Sequence, residues 1–306
     1  KPTALNHYRP ISVTPILSRV AERVIVKKYL YPSLLPETTA DQYAFKPSGS
    51  TTCALVHILH RVSMYLEQCD FVRCLLIDFS RAFDVLDRSI ILQKLQNFDM
   101  PCSIKSWIAN FLSNRYQTTR CNDRESSSMP INLGVVQGSV LGPSLFTIMV
   151  SDLKPLSNMN DLVKYADDMT LLVPKNSDTD ICDELESIKT WAASNKMVIN
   201  FSKTKEIVFH RPRPAKPIMP PCLTGIERVT VTKLLGVYLK DNFSFSCHVD
   251  FIIKQCTQRM YVLRVLRRRG LPAALLQAVF TALILSRSIY AISAWGGFLM
   301  HPRSKD

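Results

Sequence analysis

The 306-residue sequence is poor in acidic residues and has no closely paired cysteines. Asp and Glu number 25 against 38 Lys and Arg, which gives a formal net charge of +13. Such an excess attracts polyanions, although a basic protein without a nucleic-acid partner shows the same balance. The nine cysteines form no CxxC pair, which argues against a disulfide framework or zinc ribbon and predicts reduced, mostly buried thiols in an intracellular protein.

The sequence also lacks a secretory leader and begins at Lys1, so we expect a piece of a longer polyprotein or reading frame. Its most apolar stretch, residues 273–290, is interrupted by Gln277 and Arg287. A bilayer span needs about 20 apolar residues. We therefore expect a buried helix there and no membrane partner, with a transmembrane helix as the alternative.

Hydrophobic periodicity predicts a chain of alternating helices and short strands. Helices are predicted over residues 16–30, 51–67 (capped by Thr51 or Thr52), 88–98, 104–112, 141–153 and 180–194. Strands are predicted at 73–79, 197–199 and 206–209, on both sides of the polar stretch 121–130, and in a hairpin over 162–173. Five prolines at 211–221 predict an exposed loop, and helical spacing from 248 onward predicts a second subdomain beginning near 245.

Three acids stand at the ends of apolar segments: Asp78 after a buried strand, and Asp167 and Asp168 at the tip of the hairpin. Carboxylates at the edge of a hydrophobic sheet are costly unless a cation compensates them. Their oxygens suit Mg²⁺, and two ions about 3.5–4 Å apart form a clamp for phosphoryl transfer. A plain polar turn is the alternative for Asp167 and Asp168.

Two segments near these acids favour a nucleotide site. Residues 137–143 (QGSVLGP) combine glycines, a side-chain amide and a helix start, so their backbone can lie close to a base pair or sugar. Lys203 and Lys205 follow the hairpin and could place an ammonium group beside a triphosphate. A solvated lysine pair is the alternative.

Read in order, seven blocks resemble the reverse transcriptases of non-LTR, LINE-type retrotransposons, especially jockey-like ones. The blocks are YRPIS at 8–12, QYAFKPSGSTT at 42–52, LIDFSRAFD at 76–84, VQGSVLGPSLF at 136–146, YADD at 165–168, INFSKTK at 199–205 and KLLGV at 233–237. The resemblance extends from residue 6 to residue 298. It implies an RNA-directed DNA polymerase that extends a primer 3′-hydroxyl with dNTPs by two-metal-ion transfer, for retrotransposition.

The fold implied by this resemblance is an α+β right-hand polymerase, with a small antiparallel palm sheet flanked by helices and a helical C-terminal thumb. Fingers are expected over residues 1–75 and part of 88–130, the palm over 76–244, and a partial thumb over 245–306. The resemblance also implies RNA template, DNA primer and dNTPs as partners, with an endonuclease encoded upstream. The full-length element is expected in a nuclear or cytoplasmic ribonucleoprotein.

The resemblance assigns site residues in three groups. The metal ligands are Asp78, Asp167, Asp168 and the Phe79 carbonyl, and Lys203 joins the three acids as a catalytic residue beside the leaving pyrophosphate. The dNTP contacts are Arg9, Arg19, Phe83 (the steric gate against a 2′-hydroxyl, or otherwise a core residue), Gln137, Gly138 and Lys205. The nucleic-acid contacts are Tyr165, Gly236, Arg264, Arg267 and Arg268, of which the three arginines lie on a basic helical face that could instead be simply solvated.

Three positions depart from the family pattern: Val136 stands where proline is common, and Arg19 and Arg81 where lysine is frequent. None of them is an acid. Three other functions stay open from the sequence: a retroelement-derived nucleic-acid-binding protein without polymerase activity, a group II intron-type reverse transcriptase, and a metal-dependent phosphohydrolase. The first would not need the three acids, and the last would release phosphate from nucleotides without a primer.

Overall fold

The centre of the fold is a five-stranded sheet. In the computed structural model, residues 12–34, 39–211 and 219–299 are described; Arg9 and part of the proline-rich segment fall outside these ranges. In spatial order the strands are β6 (Asp161–Tyr165), β7 (Asp168–Pro174), β1 (Phe71–Ile77), β8 (Lys205–His210) and β9 (Glu227–Arg228). Neighbouring strands are antiparallel, except that β8 and β9 are parallel.

Both faces of this sheet are buried. On β1, Leu75 and Ile77 belong to one hydrophobic cluster, whereas Val72 and Cys74 belong to the other. Successive side chains of a strand point to opposite faces, so a strand covered on both sides reads as one continuous apolar run. This explains why β1 was recognisable from the sequence.

Helices supply the layers on the two faces. Their bounds are α1 (Ile16–Ile25), α2 (Thr51–Gln68), α3 (Arg88–Leu95), α4 (Cys102–Leu112), α5 (Leu141–Met149) and α6 (Ile181–Ser194). Helices α3 to α6 contribute to the cluster that contains Leu75, and α2 contributes to the cluster that contains Val72. Helix α1 continues into a π-helical turn at Val26–Leu30.

Two local predictions are wrong. Helix α2 is capped by Ser50 rather than Thr51 or Thr52, because the Ser50 hydroxyl accepts a hydrogen bond from the Cys53 amide at 3.0 Å. The strand predicted at 197–199 is a single bridge between Ile199 and Phe79.

The polar stretch between α4 and α5 folds as a nested pair of short hairpins. Strand β2 (Arg115–Gln117) pairs with β5 (Met129–Ile131), and between them β3 (Arg120–Cys121) pairs with β4 (Arg124–Glu125). The sequence predicted the outer pair of strands and missed the inner one.

The C-terminal part consists of the hairpin β10 (Val231–Leu234) and β11 (Val237–Lys240), followed by α7 (Ser246–Arg268) and α8 (Ala273–Phe280). The helical segment 273–298 is long and apolar enough to span a membrane, by length and composition alone, but only 11% of its apolar window is buried. The predicted buried helix is therefore wrong. The segment packs along α7, where Arg259 donates to the Leu283 carbonyl, and Leu275 and Ile289 on its other sides remain more than half exposed.

The cysteines depart from the prediction in burial. All nine are free thiols, but only Cys69 and Cys74 are buried. Both lie where α2 and β1 meet in the core. Most of the others occupy outward-facing positions, for example Cys53 on α2 and Cys102 in the first turn of α4.

Candidate active site

The register of the sheet brings two of the predicted acids together. Strand β1 pairs with β7 so that Ile77 faces Met169. Asp78 directly follows β1 and Asp168 begins β7, so the two acids lie at the same end of this strand pair. Both residues line one cavity of about 350 Å³ at the end of the sheet. Asp167 lies in the adjoining turn.

The backbone of Asp78 is fixed from the side of β8. Its carbonyl accepts from the Asn200 amide at 2.8 Å, and its amide donates to the Thr204 hydroxyl at 3.3 Å. Thr204 is completely buried, so the exit of β1 has little freedom. The neighbouring Phe79 packs edge-on against Trp191, with ring centroids 6.3 Å apart.

The acidic turn is held in an uncommon backbone conformation. Tyr165 pairs with Asp168, which leaves Ala166 and Asp167 as a two-residue turn, and Ala166 has φ +55°. Positive φ is what a tight hairpin requires at this position, although a residue with a Cβ adopts it reluctantly. The buried Gln42 side chain accepts from the Ala166 amide at 3.0 Å and so helps to hold the turn.

The carboxyl groups repel one another. The pKa of Asp168 is raised, first because the sheet end partly withdraws this carboxyl from water, although much of the residue reaches solvent. The charges of Asp167 and Asp78 raise it further, and the Lys203 ammonium opposes them. Lys203 Nζ lies 3.5 Å from Asp78 Oδ2.

These residues fit a divalent cation. Asp78 Oδ2 is buried and makes no hydrogen bond within the described residues, although buried carboxylate oxygens normally have partners. The available donors are hard carboxylate oxygens, which suit Mg²⁺ or Mn²⁺. Within the described ranges, no three His, Cys, Asp or Glu side chains are gathered into a complete metal site. The carboxylates form the edge of a site that a cation and substrate oxygens would complete.

Three of the predicted nucleotide contacts, Phe83, Gln137 and Gly138, form a second group. Phe83 stacks on Phe146 with ring centroids 4.5 Å apart, and its edge meets Phe45 at 6.1 Å. It remains partly exposed, which distinguishes it from an ordinary core phenylalanine. The Gln137 side chain donates to Asp84 Oδ1 at 2.5 Å.

Gly138 has φ +102°, and a Cβ on it would lie 2.8 Å from the Ser12 carbonyl oxygen. Only glycine satisfies both constraints, so the loop containing Gln137 and Gly138 can pass close to the entry of α1.

Two of the predicted dNTP contacts, Lys205 and Arg19, are engaged with other residues. Lys205 lines the same cavity, but its ammonium is paired with Glu227 at 2.9 Å. Arg19 is exposed on α1, and its Nε donates to the Thr14 hydroxyl at 3.2 Å.

The predicted nucleic-acid contacts flank the cavity or lie on the C-terminal helices. Gly236 forms the β10–β11 turn with φ +91°, and a Cβ on it would lie 3.1 Å from the Tyr290 ring. Tyr290 also donates to the Leu235 carbonyl at 2.9 Å, which ties this hairpin to the C-terminal helices. Arg264, Arg267 and Arg268 are all exposed on α7.

The sequence reasoning missed four residues that support the site: Thr204, Gln42, Asp84 and Glu22. Three of them lie inside the blocks that resemble the family, so membership of a block could have marked them as candidates. Glu22 lies outside every block, and the amides that it accepts from are more than 100 positions away.

The fold is that of a right-hand polymerase. Its palm is a small, mostly antiparallel sheet with acids at one end and helices on both faces, and a helical C-terminal part follows. The chain belongs to the reverse transcriptase (RNA-dependent DNA polymerase) family, whose model matches residues 1–239. The resemblance stated from the motifs is thereby confirmed.

Two relatives from Drosophila melanogaster illustrate the branch of the family. The chain is 27% identical to the probable RNA-directed DNA polymerase from transposon BS, over 94% of this chain and 34% of the relative. It is 26% identical to the RNA-directed DNA polymerase from mobile element jockey, over 82% of this chain and 29% of the relative. The chain thus spans about a third of the length of these curated relatives.

The fold prediction is also confirmed. The structure of apo telomerase from Candida tropicalis, truncated from its C-terminal domain, matches with a TM-score of 0.52 and 12% identity, over 73% of this chain and 44% of that one. Reverse transcriptases as a family depend on a divalent metal in general.

Proposed function

We propose that this chain is the polymerase core of a retrotransposon reverse transcriptase, which extends a primer 3′-hydroxyl with dNTPs on an RNA template. The observation that carries the proposal is that Asp78 and Asp168, at the same end of the paired strands β1 and β7, line one cavity in a chain of this family. A nucleic-acid-binding protein without polymerase activity would gain nothing from two such acids, whose repulsion opposes folding.

Asp78, Asp167 and Asp168, with the Phe79 carbonyl, would hold two Mg²⁺ ions. When bound, such a pair activates the attacking hydroxyl and stabilises charge on the leaving group. Asp78 would be suited to hold such an ion, because Oδ2 has no hydrogen bond among the described residues and the backbone is fixed by Thr204 and Asn200. Mn²⁺ would be a substitute ion, since its ligand preferences are similar.

The remaining residues would bind the nucleotide. The Phe83 ring would lie beneath the sugar and clash with a 2′-hydroxyl, and the stack with Phe146 would keep it from moving aside. From its position beside Asp78, the Lys203 ammonium would protonate the leaving pyrophosphate or stabilise its negative charge. Gln137 and Gly138 would contact the base pair, and Arg9 would contact the triphosphate. Arg19 and Lys205 would do so after leaving their present partners Thr14 and Glu227.

The template and primer would lie in the cavity and along α7. Tyr165 and Gly236 would contact the primer end, and Arg264, Arg267 and Arg268 would meet the duplex phosphates. The whole element would need an upstream endonuclease to generate the primer, and would act in a nuclear or cytoplasmic ribonucleoprotein.

Primer extension tests this proposal. Purified protein, with binding to the primer–template verified, should extend a DNA primer on RNA and DNA templates with dNTPs and Mg²⁺. Asp167→Asn should abolish synthesis and leave primer–template binding largely intact. Absence of extension with both Mg²⁺ and Mn²⁺ would refute the function, and full activity of Asp167→Asn would refute the metal assignment.

A further inference from the structure

Glu22 is a fully buried carboxylate that joins α1 to the loop that contains Gln137 and Gly138. Glu22 of α1 is 0% exposed, and Oε2 accepts from the amides of Val140 at 2.7 Å and Leu141 at 3.1 Å. Its Oε1 accepts from the Ser18 hydroxyl at 3.1 Å. Among the described residues Glu22 has no ion-pair partner, so the amides at the start of α5 compensate its charge.

These amides directly follow the loop that contains Gln137 and Gly138. The loop is anchored at two further points: the Gln137 carbonyl accepts from the Ser12 amide at 3.1 Å, and the Gln137 side chain donates to Asp84. Of these three anchors, Asp84 follows β1, whereas Ser12 and Glu22 lie just before and within α1.

We propose that Glu22 is a positioning residue that couples α1 to the Gln137–Gly138 loop and thereby sets the affinity for the incoming dNTP. The inference rests on the proposed polymerase function. Glu22 contacts neither the acids nor Lys203, so its loss should act on nucleotide binding more than on the chemical step. A shift of about 1 Å in a group that positions substrate can cost about 100-fold in rate.

A purely structural role for Glu22 makes a different prediction, and the chain offers a matched control. Glu184 is also 0% exposed, and it accepts from the amides of Leu156 at 3.0 Å and Ser157 at 3.2 Å. It also accepts from Asn160 Nδ2 at 2.7 Å and has no ion-pair partner among the described residues. Glu184 fixes a loop that contains none of the candidate site residues.

The experiment compares Glu22→Gln with Glu184→Gln in single-nucleotide incorporation at saturating primer–template, with dNTP titrated. Glu22→Gln should raise the dNTP KM about 10- to 100-fold while kcat changes about threefold or less. Glu184→Gln should lower the melting temperature by a similar amount and leave the KM unchanged. Equal KM changes in the two variants, or an unchanged KM in Glu22→Gln, would overturn the proposal.

Two further measurements keep the test decisive. If Glu22→Gln does not fold, Ser18→Ala removes only the hydroxyl donor to Glu22 and should raise the KM about two- to threefold. Hydrogen–deuterium exchange of residues 137–149 gives a readout that does not need activity. Faster exchange of these residues in Glu22→Gln, but not in Glu184→Gln, would support the coupling. Equal exchange in the two variants would refute it. A wild type that extends no primer would refute only the polymerase function.

Discussion

At the scale of single residues, the acids at the end of the sheet weaken the fold in the absence of a cation. Asp78 and Asp168 line the same cavity at the end of the sheet, and Asp167 adds a third charge in the turn. The raised pKa of Asp168 means that the folded protein binds its proton more tightly than the unfolded chain does. Stability should therefore fall as the pH rises from the ordinary aspartate pKa through the raised value.

Asp168→Asn should accordingly stabilise the metal-free protein at pH 7, by about 0.2–1 kcal/mol, because like charges that lie close together on neighbouring strands are destabilising. Urea unfolding in the presence of a chelator measures this change, with the exposed Asp178→Asn as control. Mg²⁺ should raise the melting temperature of the wild type and not that of Asp168→Asn. A variant less stable than the wild type under chelation would contradict this account of the site.

At the scale of secondary-structure elements, a buried ionic network joins the central strand of the sheet to the two strands on one side of it. Glu206 on β8 is 0% exposed and accepts from Arg73 Nε at 2.7 Å and Arg228 Nε at 2.8 Å. Both guanidinium groups also donate to the Pro221 carbonyl, at 3.1 Å and 2.7 Å. The network thus joins β1, β8 and β9 to the end of the proline-rich segment.

Glu206→Gln should destabilise the protein by about 3–5 kcal/mol, because it removes the buried carboxylate that Arg73 and Arg228 share. Arg73 would keep only the exposed Asp180 at 3.7 Å. Chemical denaturation would measure the loss. The matched control is Glu227→Gln, which breaks the solvent-exposed pair with Lys205 and should cost about 0–1 kcal/mol. Similar losses in the two variants would show that the Glu206 network contributes no more than a surface ion pair.

Most elements were predictable because their patterns are local. The apolar strand before Asp78 and the hairpin around Asp167 are each set by a few consecutive residues, and the helices by their periodicity. Helix α1 shows the limit of such reasoning, because Ile16, Leu17 and Val20 are exposed while Glu22 is buried. Its orientation depends on amides at the start of α5, more than 100 residues away, which no local pattern contains.

The same distinction applies to the candidate site. The motifs predicted that Asp78, Asp167 and Asp168 share one site. They did not predict the register of β1 against β7, which brings Asp78 and Asp168 to the same end of the sheet. The engagement of Lys205 by Glu227 also depends on the parallel pairing of β8 and β9. Side-chain partners of this kind follow from tertiary packing rather than from residue type.

At the scale of the whole molecule, the charge of +13 and the exposed arginines of α7 favour a long anionic partner. Replacing Arg264, Arg267 and Arg268 together by alanine should weaken primer–template binding and reduce the slope of log affinity against log salt by about 2–3, since each phosphate contact contributes about one unit. Fluorescence anisotropy at several salt concentrations measures the slope. A slope equal to that of the wild type would mean that these arginines are solvated and do not meet the duplex.

The central claim is that Asp78 holds catalytic metal at the end of the sheet, and single-turnover incorporation of one dNTP on an RNA template tests it most directly. Asp78→Asn should slow incorporation at least about 1000-fold, because metal ions supply several kcal/mol of transition-state stabilisation. Its affinity for primer–template should stay within about threefold of the wild type, since the acids are not expected to bind the duplex. Incorporation by Asp78→Asn within tenfold of the wild-type rate would contradict the account.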